Sequence, residues 1–294
     1  MINKTVLLLI GFSRPQFIED RLGEISALTD LGLQVICSID GMETVYSKDN
    51  KDQFKVLEEN YKNVTWIREK RNLGLAQHIS MRVTESLQDY QSVIVIEDDV
   101  SVSKGSILSL MNILNSNHQS TYATAGLFGA IPCTNLNKVL SNSWRKTKYF
   151  SAWGWAIRRE IWDLYSLNIV KNIGITTLDK CQMWNELTEK QKSRWRFRFK
   201  RVIENPNHSW DYQMQFLSFK EGLPHLLPTF RMCENLGFGD LKATNTKMPR
   251  PWWYQGKKCD SGIGSATIIN KKYESLLEYV DSYTWIGDRK LNFF

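Results

Sequence analysis

The chain has 294 residues, 42% apolar and 23% charged, ordinary values for a water-soluble folded protein with room for a substantial core. No stretch approaches the ~20 apolar residues of a membrane span. Its five cysteines (Cys37, Cys133, Cys181, Cys233, Cys259) lack CxxC or Cys/His spacing. That excludes a zinc site and a disulfide framework and suits reduced thiols in a cytoplasmic chain.

Net charge is +7, from 38 basic and 31 acidic residues. The excess is local: Lys190, Lys192, Arg194, Arg196, Arg198, Lys200 and Arg201 lie together, with no acid between 190 and 201. The first half alternates apolar runs with helical stripes. "TVLLLIG" (5–11) reads as a buried strand, and Arg14 behind it argues against a signal peptide. A helix over 15–30 presents Ile18, Leu22, Ile25 and Leu28 on one face. Strands follow at 33–39 and 64–67. Leu75, Ile79, Val83 and Leu87, four apart, mark a helix over 74–88. "SVIVI" (92–96) is the fourth strand, followed by a helix near 104–116 and an apolar run at 124–130.

This alternation predicts an α/β fold with a mostly parallel central sheet covered on both faces. The second half is richer in Trp, with helices expected near 158–168, 174–189 and 211–221 and a short one near 271–281. No Pro/Gly/Ser linker divides the chain, so one domain over 1–294 is expected: a sheet-based first half (1–130), an elaborated second half (131–246) and a wrapping segment (247–294).

Open parallel sheets bind ligands beyond the C-terminal ends of their strands. After the first strand, Ser13 and Gln16 have capping-box spacing. They would set Arg14 at a helix N-terminus, where dipole and guanidinium favour a phosphate. After the second, Asp40 is placed to accept from a ribose hydroxyl or a base N–H, and Gly41 lets the chain turn away. After the third, Asn72 is a cap for the next helix, and His78 one turn in reaches a phosphate or packs in the core. After the fourth comes Glu97-Asp98-Asp99. Adjacent carboxylates repel and need a cation, and hard oxygen donors suit Mn2+ or Mg2+. In extended backbone Glu97 and Asp99 share a side and Asp98 faces away unless the chain turns. Together these point to a nucleoside diphosphate carried with a divalent metal.

In this setting "VLLLIGFSRPQFIEDRL", "SID", "LAQH", "VIVIEDDV", "WGW" and "WDYQ", in that order, resemble GT-A glycosyltransferases of the N-acetylglucosaminyltransferase I family. "ENLGFGDLKATNT" (234–246) is similar to a stretch in bacterial sugar transferases of surface-polysaccharide clusters. The resemblance covers roughly 5–246. It implies a GT-A fold and a metal-dependent, inverting transfer from a nucleotide-diphosphate sugar, a UDP-sugar favoured, to a saccharide or lipid-linked saccharide. It implies that Arg14, Asp40, His78 and Asp98 bind the nucleotide, with Asp99 on the metal and Asp211 as general base. Trp153, Gly154 and Trp155 would line the donor-sugar pocket, with Glu97 and Trp210 on the acceptor side.

"RWRFRFK" (194–200) alternates basic and aromatic residues. As a strand it splits into an aromatic face and a cationic face; as a helix it shows no clean face. A core-backed strand or flap, an anionic membrane surface and single-stranded nucleic acid all fit it, the last least, and no nucleic-acid partner is expected. Two rival readings stand beside sugar transfer. A nucleotidyltransferase would favour a glycine-rich, lysine-bearing loop where "GFSRPQ" stands. A non-catalytic polyanion- or membrane-binding protein acting through 190–201 leaves the carboxylates unexplained.

Overall fold

The computed structural model describes residues 4–41, 48–116, 122–129, 131–133, 142–240, 249–251, 254, 256–260, 262–263, 277–278 and 280–282. Strand β1 (Thr5–Gly11) leads through helix α1 (Pro15–Ile25) and a short 3-10 segment to β2 (Gln34–Ile39). Helix α2 (Lys48–Asn60), β3 (Thr65–Arg68), α3 (Leu75–Asp89), β4 (Ser92–Glu97), β5 (Val100–Val102) and α4 (Lys104–Leu114) follow. Next come β6 (Ala125–Gly126), β7 (Trp144–Thr147), β8 (Trp155–Arg158), α5 (Arg159–Trp162), α6 (Ile169–Ile173) and α7 (Gln182–Asn185). Helices α8 (Glu189–Glu204) and α9 (Trp210–Glu221) precede β9 (His225–Pro228) and β10 (Cys233–Asn235).

One sheet of eight strands runs β3-β2-β1-β4-β8-β6-β9-β7, and β10 pairs with β5 in a separate ribbon. Strands β3, β2, β1 and β4 are mutually parallel, β8 lies antiparallel between β4 and β6, and β9 is parallel to β6. This is the expected α/β architecture, a mostly parallel, Rossmann-like sheet between helices. Alternate residues of a strand face opposite sides. Leu7 and Leu9 of β1 pack with Ile18, Leu22 and Ile25 of α1, while Val6, Leu8 and Ile10 pack with Ile79, Val83 and Leu87 of α3. Burial on both faces is why β1 and β4 read as unbroken apolar runs.

The chain steps outward from β1 to β2 and β3, then returns to the other side of β1 as β4. Strand order therefore reverses between β1 and β4, and their C-terminal ends open a crevice, the usual ligand position in such sheets. The register sets Ile10 beside Glu97 and Gly11 beside Ile39, which brings the three strand ends level.

Several expectations are corrected. The helix expected over 15–30 is α-helical only to Ile25 and finishes as a 3-10 turn closed by Gly32 at φ 81°. Segment 174–189 is broken, because Gly174 takes φ 87° and the β-branched run Ile175–Thr177 follows in a 3-10 turn. Of 158–168 only Arg159–Trp162 is helical, and of the described residues within 124–130 only Ala125–Gly126 pairs in the sheet. The helix expected near 271–281 lies largely outside the described residues. Within it, Asp281 forms a bidentate, fully buried pair with Arg145 of β7, one contact at 2.7 Å. "RWRFRFK" is helical, within α8.

His225 of β9 is fully buried, with Nδ1 2.7 Å from the Thr124 hydroxyl. Burial disfavours the imidazolium and lowers its pKa from 6.5 to about 3. A lowered folded pKa gives stability that is present above pH 6.5 and lost as pH falls towards 3. Wild type is therefore expected to lose about 2 kcal/mol through this group between pH ~6.5 and ~5. Urea unfolding of His225→Gln should show a correspondingly shallower decline over that interval. Equal declines would show that His225 does not titrate as its burial requires.

Candidate active site

The crevice between β1 and β4 holds a compact ion cluster. Arg14 follows β1, and its guanidinium reaches three carboxylates. Nε donates to Asp98 at 3.2 Å, one terminal nitrogen donates to both Asp98 and Asp99, the latter at 3.1 Å, and the other donates to Asp240 at 3.2 Å. The Phe17 ring lies 4.9 Å beneath the guanidinium. The backbone turns at Asp98–Asp99, so both side chains reach one cation and do not fall on opposite faces. Arg14 itself is the cation that the row of carboxylates requires.

Why Arg14 is here is a local matter. The structure corrects the expected capping box: Pro15 occupies the first helical position and Arg14 is the N-cap residue, without a side-chain cap. Ser13 is buried, and Gln16 donates to Glu19 and not back to the cap. Asp98 N–H donates to Ile10 C=O at 2.9 Å, extending the β1–β4 pairing to the carboxylates. Asp99 C=O accepts from Leu236 N–H at 2.7 Å, which draws the segment after β10, and Asp240 with it, over the site.

Burial dominates the electrostatics. It pushes the Asp98 carboxyl up to about 6, with Arg14 opposing the shift and Asp99 adding to it. It raises Asp99 as well, against the pull of Arg14. Glu97 lies well above the ordinary range, through burial and then the charges of Asp99, Asp98 and Asp211. Arg14 is disfavoured by burial, yet the Asp98, Asp99 and Asp240 charges outweigh that and hold its proton more tightly than usual.

Asp211 lies in the first turn of α9 after N-cap Ser209. Ser209 is the N-cap residue by position, and its hydroxyl donates to the Asp211 carboxylate. Burial raises the Asp211 pKa, while that hydrogen bond and then Arg198 hold it back. Its charge adds to the upward shift of Glu97 at the end of β4, after burial, Asp99 and Asp98.

The other sequence candidates divide. Asp40 is committed to backbone: one oxygen accepts Gly41 N–H at 2.8 Å and Leu73 N–H at 2.9 Å, the other Gly74 N–H at 3.0 Å. It fastens the β3–α3 loop to the end of β2. Gly41 permits this, because a Cβ there would lie 2.1 Å from the Arg71 backbone. Asp40→Ala is expected to cost about 3 kcal/mol by leaving these donors unpaired. Urea unfolding measures the loss, and amide exchange at Leu73 and Gly74 should accelerate with it.

Asn72 accepts from Gly74 N–H at 2.8 Å, but Gly74 is the N-cap residue of α3. His78 is 2% exposed, with Nε2 2.8 Å from the Ser38 hydroxyl. Burial lowers its pKa to about 4, Asp40 opposing, so it stands as a neutral packing residue behind Asp40.

Two aromatic expectations are corrected. Trp155 and Trp210 are core residues, 0% and 3% exposed, stacked with ring centroids 4.9 Å apart. They therefore offer no sugar face. Trp153 is half-buried on the other face of the sheet, edge-on to Phe128 at 4.7 Å, Phe238 at 5.7 Å and Tyr254 at 5.5 Å. Gly154 between them takes φ 67°, which turns the chain from one side to the other.

Asp240 was not among the sequence candidates. Its signal was Gly237-Phe238-Gly239-Asp240, a turn with Gly239 at φ 82° that places a carboxylate on a returning loop.

A divalent metal fits the chemistry of the donors but is not enclosed by them. Asp98, Asp99 and Asp240 offer the hard oxygens that Mn2+ and Mg2+ prefer. Among the described residues no group of three or more His, Cys, Asp or Glu is arranged to hold a cation. Mg2+ characteristically takes one or two carboxylates and completes its shell with substrate phosphates and water. The residues present fit that mode.

No family model and no curated protein matches the chain. Among solved structures it is similar to a mannosyltransferase, PcManGT from Pyrobaculum calidifontis, in complex with GDP-Man and Mn2+ (TM-score 0.41, 11% identity, 73% of this chain and 69% of that one). It is similar to GalNAc-T7 with UDP, GalNAc and Mn2+ (TM-score 0.42, 12% identity, 76% of this chain) and spans 42% of that protein. It is also similar to the galactosyltransferase LgtC in complex with donor and acceptor sugar analogs (TM-score 0.39, 12% identity, 75% of this chain and 73% of that one). The chemistry of the site has to come from its own residues.

Proposed function

We propose that this chain is a metal-dependent glycosyltransferase that moves a sugar from a nucleoside-diphosphate sugar to a saccharide hydroxyl with inversion at the anomeric carbon. The observation that carries the reading is the convergence of Arg14, Asp98, Asp99 and Asp240 at the β1/β4 crevice, with Asp211 near enough to Glu97 to raise its pKa. Strand order reverses there, and a cation-bearing diphosphate suits both the carboxylates and the guanidinium.

Asp99, with Asp98 beside it, would hold the divalent cation, which when bound neutralises charge on the departing diphosphate. Arg14 changes partner, from the carboxylates to the diphosphate oxygens, and binds the leaving group. Asp211 accepts the proton of the acceptor hydroxyl as that oxygen bonds to the anomeric carbon. The bond from that carbon to the phosphate oxygen breaks, and the nucleoside diphosphate leaves with its electron pair. A carboxylate raised by burial is a better proton acceptor than one in water. Asp40 shapes the nucleotide side by holding the β3–α3 loop. A UDP-sugar is the first donor to try, with a saccharide or lipid-linked saccharide as acceptor.

Calorimetric titration of UDP, GDP, dTDP and CMP, with and without Mn2+, tests the site. One nucleotide is expected to bind with Mn2+ present, and Asp99→Ala should weaken it at least about tenfold. No binding of any nucleotide to the folded protein would overturn the reading.

A further inference from the structure

The cations of α8 are not equivalent. Lys192 pairs with Glu189 at 2.9 Å, and Arg196 with Asp179 at 3.4 Å and with Glu189 at 3.7 Å. Lys190 and Arg194 also have partners within the protein. Arg198 is half-buried and held in another way. Its guanidinium stands 4.7 Å over the Trp195 ring and 5.3 Å over the Tyr212 ring, and those two rings meet edge-on, 6.0 Å apart at 89°. Among the described residues Arg198 makes no side-chain hydrogen bond and no ion pair. Stacking uses the faces of a guanidinium and leaves its edge, with the N–H donors, for a ligand. Tyr212 directly follows Asp211 in α9. Burial raises the Asp211 pKa, and the Ser209 hydrogen bond and then the Arg198 charge oppose it. Arg198 therefore stands within electrostatic reach of Asp211 without pairing with it.

We propose that Arg198 anchors the acceptor saccharide by an anionic group, a carboxylate or a phosphate, and so sets the attacking hydroxyl against Asp211. The inference rests on Asp211 as the base in the glycosyltransferase reading, and it names the class of acceptor for that site. A planar fork pinned between two rings is preorganised for two oxygens of one oxyanion. A neutral saccharide would engage the donors and leave the charge unused. A bound anion also cancels the positive charge that opposes the raised pKa of Asp211, so the base is strongest once the acceptor is seated. A uronic acid supplies the carboxylate, and a lipid-linked saccharide supplies the phosphate. The rival role for Arg198, counterion to Asp211, would show as an ion pair, and none forms among the described residues.

Calorimetric titration of methyl glucuronide, glucose 1-phosphate and methyl glucoside tests it, each into protein saturated with Mn2+ and the nucleoside diphosphate it binds. At least one anionic sugar should bind about tenfold or more tighter than methyl glucoside, and which one does so identifies the source of the charge. Arg198→Gln should abolish the preference, and Arg198→Lys should keep part of it, because a point charge remains without the fork. Both variants should bind nucleotide within about twofold of wild type and unfold near its temperature. No nucleotide binding to wild type would overturn the glycosyltransferase reading and this inference with it. Nucleotide binding without preference for either anionic sugar, or a preference that survives in Arg198→Gln, would overturn this inference alone.

Discussion

Asp211→Asn is expected to slow turnover about 10^3-fold and to leave metal-dependent nucleotide binding within about twofold of wild type. The amide keeps the shape of the side chain and can accept from the Ser209 hydroxyl, but it cannot take a proton from the acceptor. The cluster of Arg14, Asp98 and Asp99 makes no hydrogen bond or ion pair with Asp211 among the described contacts and is left intact. The pH dependence supplies an independent readout. Burial raises the Asp211 pKa, so the rising limb of kcat/KM in wild type should sit above the ordinary aspartate range near 3.9. Ser209→Ala removes the hydrogen bond that holds the pKa back and should move that limb higher still. If Asp211→Asn turns over at the wild-type rate, the base is another group, and Glu97 is the neighbour to replace next.

The first half of the chain was legible because its strands are buried on both faces. Val6 to Ile10 and Val93 to Ile96 are wholly inside, so nothing polar interrupts them. Helices α1 and α3 showed because each buries a stripe four residues apart. Helix α2 did not: its sequence "KDNKDQFKVLEEN" has only Phe54 and Leu57 buried among the residues whose burial is described. Helix α8 was obscured by Phe197. Its aromatics at 195, 197 and 199 look like the period of a strand, yet Trp195, Phe199 and Val202 make the helical face and Phe197 is left in water.

At the site, the strand-end residues were legible from position alone, since sheet topology dictates where they go. Their partners were not. That Arg14 would pair with Asp98, and that Asp40 would be taken by Leu73 and Gly74, depends on contacts 33 to 84 residues apart. Asp240 is 226 residues from Arg14. The Trp-rich motifs misled for a related reason. Trp fits a sugar pocket and a core equally well, and only the stacking of Trp155 on Trp210 decides between them.

Arg14→Met is expected to destabilise the protein by about 3 kcal/mol at neutral pH, a loss that acid and divalent cations both reduce. Methionine keeps much of the packing volume and removes the charge. Asp98 and Asp99, whose side chains are 6% and 11% exposed, would then face each other and Asp240 without a counterion. Removing one partner of a buried ion pair leaves the other charge uncompensated and typically costs about 3–5 kcal/mol. The low end applies, because Asp240 is 25% exposed and keeps some solvent screening.

The sign of the pH effect follows from the shifts. Burial already places Asp98 at about 6 with Arg14 present, and loss of Arg14 pushes it higher. A carboxyl with a raised folded pKa gives stability that is present below its unfolded value, near 3.9, and lost as pH rises through the folded value. The penalty of Arg14→Met in urea unfolding should therefore be largest near neutrality and shrink towards pH ~4. Mn2+ without nucleotide should raise the unfolding temperature of the variant more than that of wild type, because the cation then has no guanidinium to displace. Equal penalties at both pH values, together with no response to Mn2+, would show that Arg14 does not hold the cluster together, and the carboxylates would need another counterion.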